Sequence, residues 1–196
     1  YAMGLGVSRD MAAAFRWFTK AAELGKPYSQ YRLGLYLRDG VPVPRDHAGA
    51  FKWIQLSAGQ GFAEAQCELG NLYSKGTGVA SDQVLAVKWY RKAAERGYAL
   101  AQYNLGIRYR DGKGVTQDDQ EALRLFTLAA EKGLASAQYQ LGYEHCEGMG
   151  VKTDRDVGIG WYRKAADQGY APAQLNLGNL YSDGLGVERD PVAAVS

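Results

Sequence analysis

Residues 64–99 read EAQCELGNLYSKGTGVASDQVLAVKWYRKAAERGYA, and the spacing within this stretch decides the fold. Ala65, Leu69, Leu72 and Tyr73 stand at i, i+4, i+7 and i+8, one face of a first helix, A. Gly76 and Gly78 then interrupt it, since glycine reaches positive φ and suits a helix end and a tight connection. Asp82 follows as an N-cap, its carboxylate positioned to accept from the free amides of the next first turn. A second helix, B, carries Ala86, Trp89, Tyr90, Ala93 and Ala94 inward until Gly97 closes it. Ala93, Ala94 and Gly70 allow close approach, and Trp89 and Tyr73 supply bulk between the helices. Neither helix buries its face alone; stacking does.

The stretch recurs. Leu-Gly pairs occur at Leu33-Gly34, Leu69-Gly70, Leu105-Gly106, Leu141-Gly142 and Leu177-Gly178, a step of 36 residues each time. The same register holds for Gln30, Gln66, Gln102, Gln138 and Gln174, and for Gly40, Gly76, Gly112, Gly148 and Gly184. It holds again for Asp10, Asp46, Asp82, Asp118, Asp154 and Asp190, and for Trp17, Trp53, Trp89 and Trp161, with Leu125 standing in. The reading is one solenoid domain over 1–196: a partial repeat at 1–27, full repeats at 28–63, 64–99, 100–135 and 136–171, and a partial repeat at 172–196. Tyr1 aligns with the Tyr73 column and Ser196 falls one residue short of the Trp column. Both ends cut through a repeat without a polar cap, so the expectation is a parent chain that continues in both directions.

Composition narrows the function. A net charge of +2 on 196 residues gives no reason to expect nucleic acid or an anionic membrane as partner. Hydrophobic residues at 46% suffice for a core. No run approaches the roughly 18 apolar residues of a membrane span. Cys67 and Cys146 lie two repeats apart; at about 8–10 Å per helix layer this far exceeds the roughly 7 Å that a disulfide spans between Cα atoms. Free thiols are expected.

The compound motif is carried by Ala65, Gln66, Leu69, Gly70, Tyr73, Gly76, Gly78, Val79, Asp82, Ala86, Trp89, Lys92, Ala93 and Ala94. It resembles the Sel-one-like repeat (SLR) family, relatives of the tetratricopeptide helix pairs, over the entire chain. The resemblance implies an all-α, right-handed α-solenoid of stacked antiparallel helix pairs that serves as an adaptor or scaffold. Bacterial members of that family are often exported or envelope-associated, which points to the periplasm or envelope, with the cytoplasm left open. Some act in signalling, in host interaction, or as immunity partners of secreted effectors. The chain departs from the pattern in three places. The first loop reads Val41-Pro42-Val43-Pro44 where its siblings have a second glycine, and should be stiffer. Gly158 and Gly160 make helix B of the fourth unit the softest expected, at about 1 kcal/mol each against alanine. His145 replaces the usual Tyr.

Catalysis finds no support in these residues, and no cofactor or metal is expected. His47 and His145 sit in different repeats, without zinc-ligand spacing. His145 adjoins Cys146, but consecutive helical residues point about 100° apart and do not face each other. The Gly4-Leu5-Gly6, Gly76-Thr77-Gly78 and Gly112-Lys113-Gly114 stretches join helix to helix, so turn chemistry explains them better than a phosphate cradle. Members of the Asp column stand a whole repeat apart, too far to share a calcium ion.

The positive signal lies in the variable positions of helix A. They read Tyr31, Leu35 and Arg38; Cys67, Asn71 and Ser74; Tyr103, Ile107 and Arg110; Tyr139, Tyr143 and Cys146; Leu175, Asn179 and Ser182. By resemblance to tetratricopeptide arrays this face lines a concave groove. A stripe of Tyr, Leu and Ile flanked by Arg has the composition of an interface. The partner-binding candidates are therefore Tyr31, Leu35, Arg38, Tyr103, Ile107, Arg110, Tyr139 and Tyr143, with a protein or peptide as partner. The alternative is that Tyr31, Tyr103 and Tyr139 pack between neighbouring A helices. An inhibitor or immunity protein acting through the same groove is a second functional reading.

Overall fold

The structure, a computed structural model, describes residues 10–183; Tyr1, the Gly4-Leu5-Gly6 stretch, Gly184, Asp190 and Ser196 lie outside them. Two compact units divide the chain at residues 98 and 99. The first contains α1 (Met11–Glu23), α2 (Pro27–Asp39), α3 (His47–Gly59), α4 (Ala63–Lys75) and α5 (Gln83–Glu95). The second contains α6 (Ala99–Asp111), α7 (Asp119–Glu131), α8 (Ala135–Glu147), α9 (Arg155–Ala166) and α10 (Ala171–Asp183). The described residues hold helices and no strand. Even-numbered helices are the A helices of the sequence reading and odd-numbered ones the B helices, and each unit is a stack of antiparallel helix pairs.

The aspartate column begins the B helices. Asp10, Asp46, Asp82, Asp118 and Asp154 each accept from the amide three residues on, at 2.8–3.1 Å. The backbone amides of Asp46, Asp82, Asp118 and Asp154 also donate to carbonyls of the preceding A helix, at Leu37, Tyr73, Tyr109 and His145. One residue thus caps a helix and closes the loop before it. Gly40, Gly76 and Gly148 end A helices in the left-handed conformation, as their place in the repeat predicts.

In four of the Leu-Gly pairs the glycine is a seat for a side chain of helix B twenty residues on. A Cβ at Gly34, Gly70, Gly106 or Gly142 would stand 2.5–2.6 Å from Ile54, Tyr90, Phe126 or Tyr162 respectively. These four side chains are the buried bulk of their pairs. Trp89 and Trp161 lie half-buried at the core's edge, whereas Trp17 is exposed. Trp89 packs against the cluster that holds Ile54, Leu69 and Leu72, with Lys92 Nζ 4.4 Å over its ring, and Trp161 against the cluster that holds Phe126 and Leu141, with Lys164 Nζ at 3.9 Å.

The glutamine column joins one pair to the next. Nε2 of Gln30, Gln66, Gln138 and Gln174 donates to the carbonyls of Ala22, Ala58, Ala130 and Ala166, at the end of the preceding B helix, at 3.2–3.3 Å. Each of these carbonyls also accepts from the backbone amide three residues on, at Gly25, Gly61, Gly133 and Gly169, so the carboxamide fills its second lone pair.

The two glycines of α9 differ in role. A Cβ at Gly158 would stand 2.5 Å from Cys146 Sγ and 2.8 Å from the Gly142 carbonyl oxygen, whereas one at Gly160 would meet nothing within 4 Å. Gly160→Ala should therefore raise stability by about 0.5–1 kcal/mol, and Gly158→Ala should lower it by about 1–3 kcal/mol through overpacking. Urea unfolding followed by circular dichroism checks both signs.

Candidate functional site

In the first unit the candidate face is built on α2 and α4. The Tyr31 ring is half-buried, its centroid 5.4 Å from that of Phe62. Leu35 is half-buried. Arg38 is held by its own chain: Nε donates to Asp39 Oδ1 at 2.7 Å, and Nη1 donates to Glu68 on α4. Asn71 Nδ2 donates to Glu68 Oε2 at 2.8 Å, and its Oδ1 accepts from the buried Tyr90 hydroxyl, also at 2.8 Å. A continuous polar relay thus runs Asp39–Arg38–Glu68–Asn71–Tyr90 across α2, α4 and α5. Bonds to charged groups of this kind are stronger than neutral ones. They fix the guanidinium in place and raise its pKa, the Asp39 bond first among the causes opposing burial.

Cys67 departs from the sequence reading. It shares a column with Tyr31 and Tyr103 but is only 1% exposed, so this column is not a solvent-facing stripe throughout. A second column, which the sequence reading passed over, packs over other members of this one. Phe62, Tyr98, Leu134 and Tyr170 recur at 36-residue steps just before an A helix. Phe62 lies on Tyr31, Tyr170 lies on Tyr139 at 5.5 Å, and Leu134 joins the cluster that holds Tyr103.

In the second unit Tyr103 packs on Phe126, centroids 5.8 Å apart, and Ile107 lies half-buried against the same cluster. Arg110 Nε donates to its neighbour Asp111 at 3.0 Å. Tyr139 sits 5.5 Å from the rings of both Tyr162 and Tyr170, and its hydroxyl accepts from Asn176 at 3.5 Å. Tyr143 is different: it is 40% exposed. It borders a cleft of about 190 Å³ with Cys146, Tyr162, Asn176, Asn179 and Leu180. On α10, Leu175 is 66% exposed and Asn179 is also exposed. The rings of Tyr31, Tyr103 and Tyr139 are therefore packed against their own chain, and of the eight candidates Tyr143 is the exposed one.

The neighbouring pair His145 and Cys146 has no arrangement for nucleophilic chemistry. Burial first, then Glu147, pushes the Cys146 thiol up, against the low value of a reactive thiolate. Both cysteines are free. Among the described residues no group of three or more His, Cys, Asp or Glu is placed to hold a metal ion, and no helix is long and apolar enough to cross a membrane. The sequence reading also missed Glu144. It is 4% exposed and accepts from Gln140 at 2.7 Å, and burial pushes its carboxyl up.

The tyrosines carry a pH dependence. Burial is the first cause that raises the Tyr31 phenol to about 12, and it raises Tyr98, Tyr103 and Tyr162 as well. In the unfolded chain all four ionise near 10. Between about 10 and 12 the unfolded chain has lost protons that the folded chain keeps, so stability is intact below pH 10 and falls as pH rises beyond it. In an absorbance titration at alkaline pH these four should ionise above 10, together with loss of helical signal.

The Sel1 repeat family model matches residues 1–26, 27–62, 63–98, 99–134, 135–170 and 171–196. The chain belongs to the Sel1 repeat family. Among solved structures, a Sel1 repeat protein from Oxalobacter formigenes is 33% identical, with a TM-score of 0.93 over 100% of this chain and 78% of that one. A protective antigen present in uropathogenic Escherichia coli strains, displaying an SLR fold, is 38% identical with a TM-score of 0.89, over 99% of this chain and 42% of that one. An immunity protein from Pseudomonas aeruginosa is 26% identical with a TM-score of 0.61, over 86% of this chain and 62% of that one. No curated protein matches this Sel1 repeat chain. Sel1 repeat proteins are in general scaffolds for protein interaction.

Proposed function

We propose that this chain is a scaffold that holds a partner polypeptide on the face of its A helices, with the accessible part of that face in the second unit as the grip. The supporting observation is the exposed tyrosine at 143 beside a cleft of about 190 Å³ that also has the amides of Asn176 and Asn179 at its rim. A tyrosine offers a rigid apolar ring and a hydroxyl, and the amides offer donors and acceptors to an extended backbone. In the second unit Tyr103 and Tyr139 lie beside this surface with their rings packed inside, and Ile107 and Arg110 flank them, Arg110 oriented by Asp111. In the first unit Tyr31, Leu35 and Arg38 hold the corresponding positions, Arg38 oriented by Asp39 and Glu68.

Alanine at Tyr103 and Ile107 would disturb the Phe126 cluster, so the informative variant uses an exposed position. Tyr143→Ala should weaken retention of a partner captured from native cells by at least about tenfold. The melting temperature should be unchanged. Full retention by this variant would overturn the proposal.

A second reading is an inhibitor or immunity protein that neutralises a secreted effector enzyme through the same face. The likeness to the Pseudomonas aeruginosa immunity protein favours it. A captured partner with enzymatic turnover that stops on stoichiometric addition of this chain would select this reading over a passive scaffold.

A further inference from the structure

The glutamine column is interrupted at Gln66. Gln30 and Gln138 use both ends of the carboxamide: Nε2 donates to the preceding B helix, and Oε1 accepts, at 2.7 Å, from the carboxamide of the glutamine thirty residues on, Gln60 and Gln168. Gln66 makes the first bond, to Ala58. Position 96, thirty residues on, is arginine. Its guanidinium lies over Gly61, where an added Cβ would stand 2.8 Å from Nη2. Gln66 is 4% exposed, and its Oε1 receives no hydrogen bond from the chain. Buried polar atoms are seldom left this way. Gln66 lines a cleft of about 450 Å³ with Gln60, Gly61, Lys92, Glu95 and Arg96.

We infer that this cleft is a subsite for a primary carboxamide, the asparagine or glutamine side chain of a bound polypeptide. The NH2 of that group donates to Gln66 Oε1 and its oxygen accepts from the Arg96 guanidinium. The chain supplies the template itself, since at Gln30 and Gln138 the group filling the equivalent place is a carboxamide. The alternatives fit less well. A carboxylate offers Gln66 no donor, and an ammonium group meets a rim where Lys92 and Arg96 outweigh Glu95. The site uses no residue of the A-helix face proposed above and is tested with a small probe, so either proposal can fail alone.

The test is a titration of the 15N-labelled full chain with N-acetylglutamine N-methylamide, following the Gln66 side-chain amide and the backbone amides of Gly61 and Arg96. Saturable shifts in the roughly millimolar range are expected. The glutamate and methionine counterparts of the probe should bind at least about tenfold more weakly. Arg96→Gln restores the column from within: it should raise the melting temperature by about 2–5 °C and weaken the probe by at least about tenfold. No saturable shift, equal shifts with the methionine probe, or undiminished binding in a folded Arg96→Gln variant would each overturn the inference and assign Gln66 Oε1 to water.

Discussion

Gly78→Ala is expected to destabilise the first unit by more than about 3 kcal/mol in urea unfolding, with part of the helical signal lost at low denaturant. Two costs add. The residue has φ +71, a conformation that costs an L side chain about 1–2 kcal/mol. In addition, its Cβ would stand 2.0 Å from the carbonyl oxygen of His47. That oxygen belongs to the first residue of α3, which is fixed by the Asp46 cap, so backbone would have to move. Gly133→Ala isolates the first cost, since φ there is +83 and nothing lies within 4 Å of the added Cβ. It should cost only about 1–2 kcal/mol. Equal effects at the two positions would show that the loop-to-helix contact at Gly78 carries no weight.

Phe126→Ala should lower the stability of the second unit by about 3–5 kcal/mol, the range for a fully buried aromatic. Phe126 is 0% exposed, seats on Gly106 and packs against Tyr103. The seat gives the prediction a second arm. Gly106→Ala alone forces a Cβ to 2.6 Å from Phe126 Cε1 and should cost about 1–3 kcal/mol. In a Phe126→Leu background the same change should cost measurably less, because the ring it strikes is gone. Residues in contact couple in this way, and a double-mutant cycle reads the coupling. Additive costs would contradict the seat.

The helix pairs were legible because each obeys local chemistry. Aspartate at 10, 46, 82, 118 and 154 caps by its own side chain, and glycine at 40, 76 and 148 ends a helix by its own φ. The glutamine column was visible as a pattern, but its bond to a carbonyl eight residues back appears only when the B and A helices meet. The candidate face was legible in part. Helical spacing places Tyr31, Cys67, Tyr103 and Tyr139 on one side, yet spacing within a helix cannot say what the residue just before the next A helix lays over them. Phe62 and Tyr170 do that, and the 36-residue recurrence of a large residue before helix A was the available signal. Arg38 was read as a free anchor because its partner Glu68 lies thirty residues away, on another helix.

Photo-crosslinking can locate where a partner polypeptide meets this chain. The photoreactive residue is placed at Tyr143 on α8 in one protein and at Val157 on α9 in another; both positions are 40% exposed and belong to the same unit. Crosslinks to the captured partner from position 143, with few or none from 157, are the expected result. Crosslinking from 157 with none from 143 would place the partner on the B helices and contradict the account.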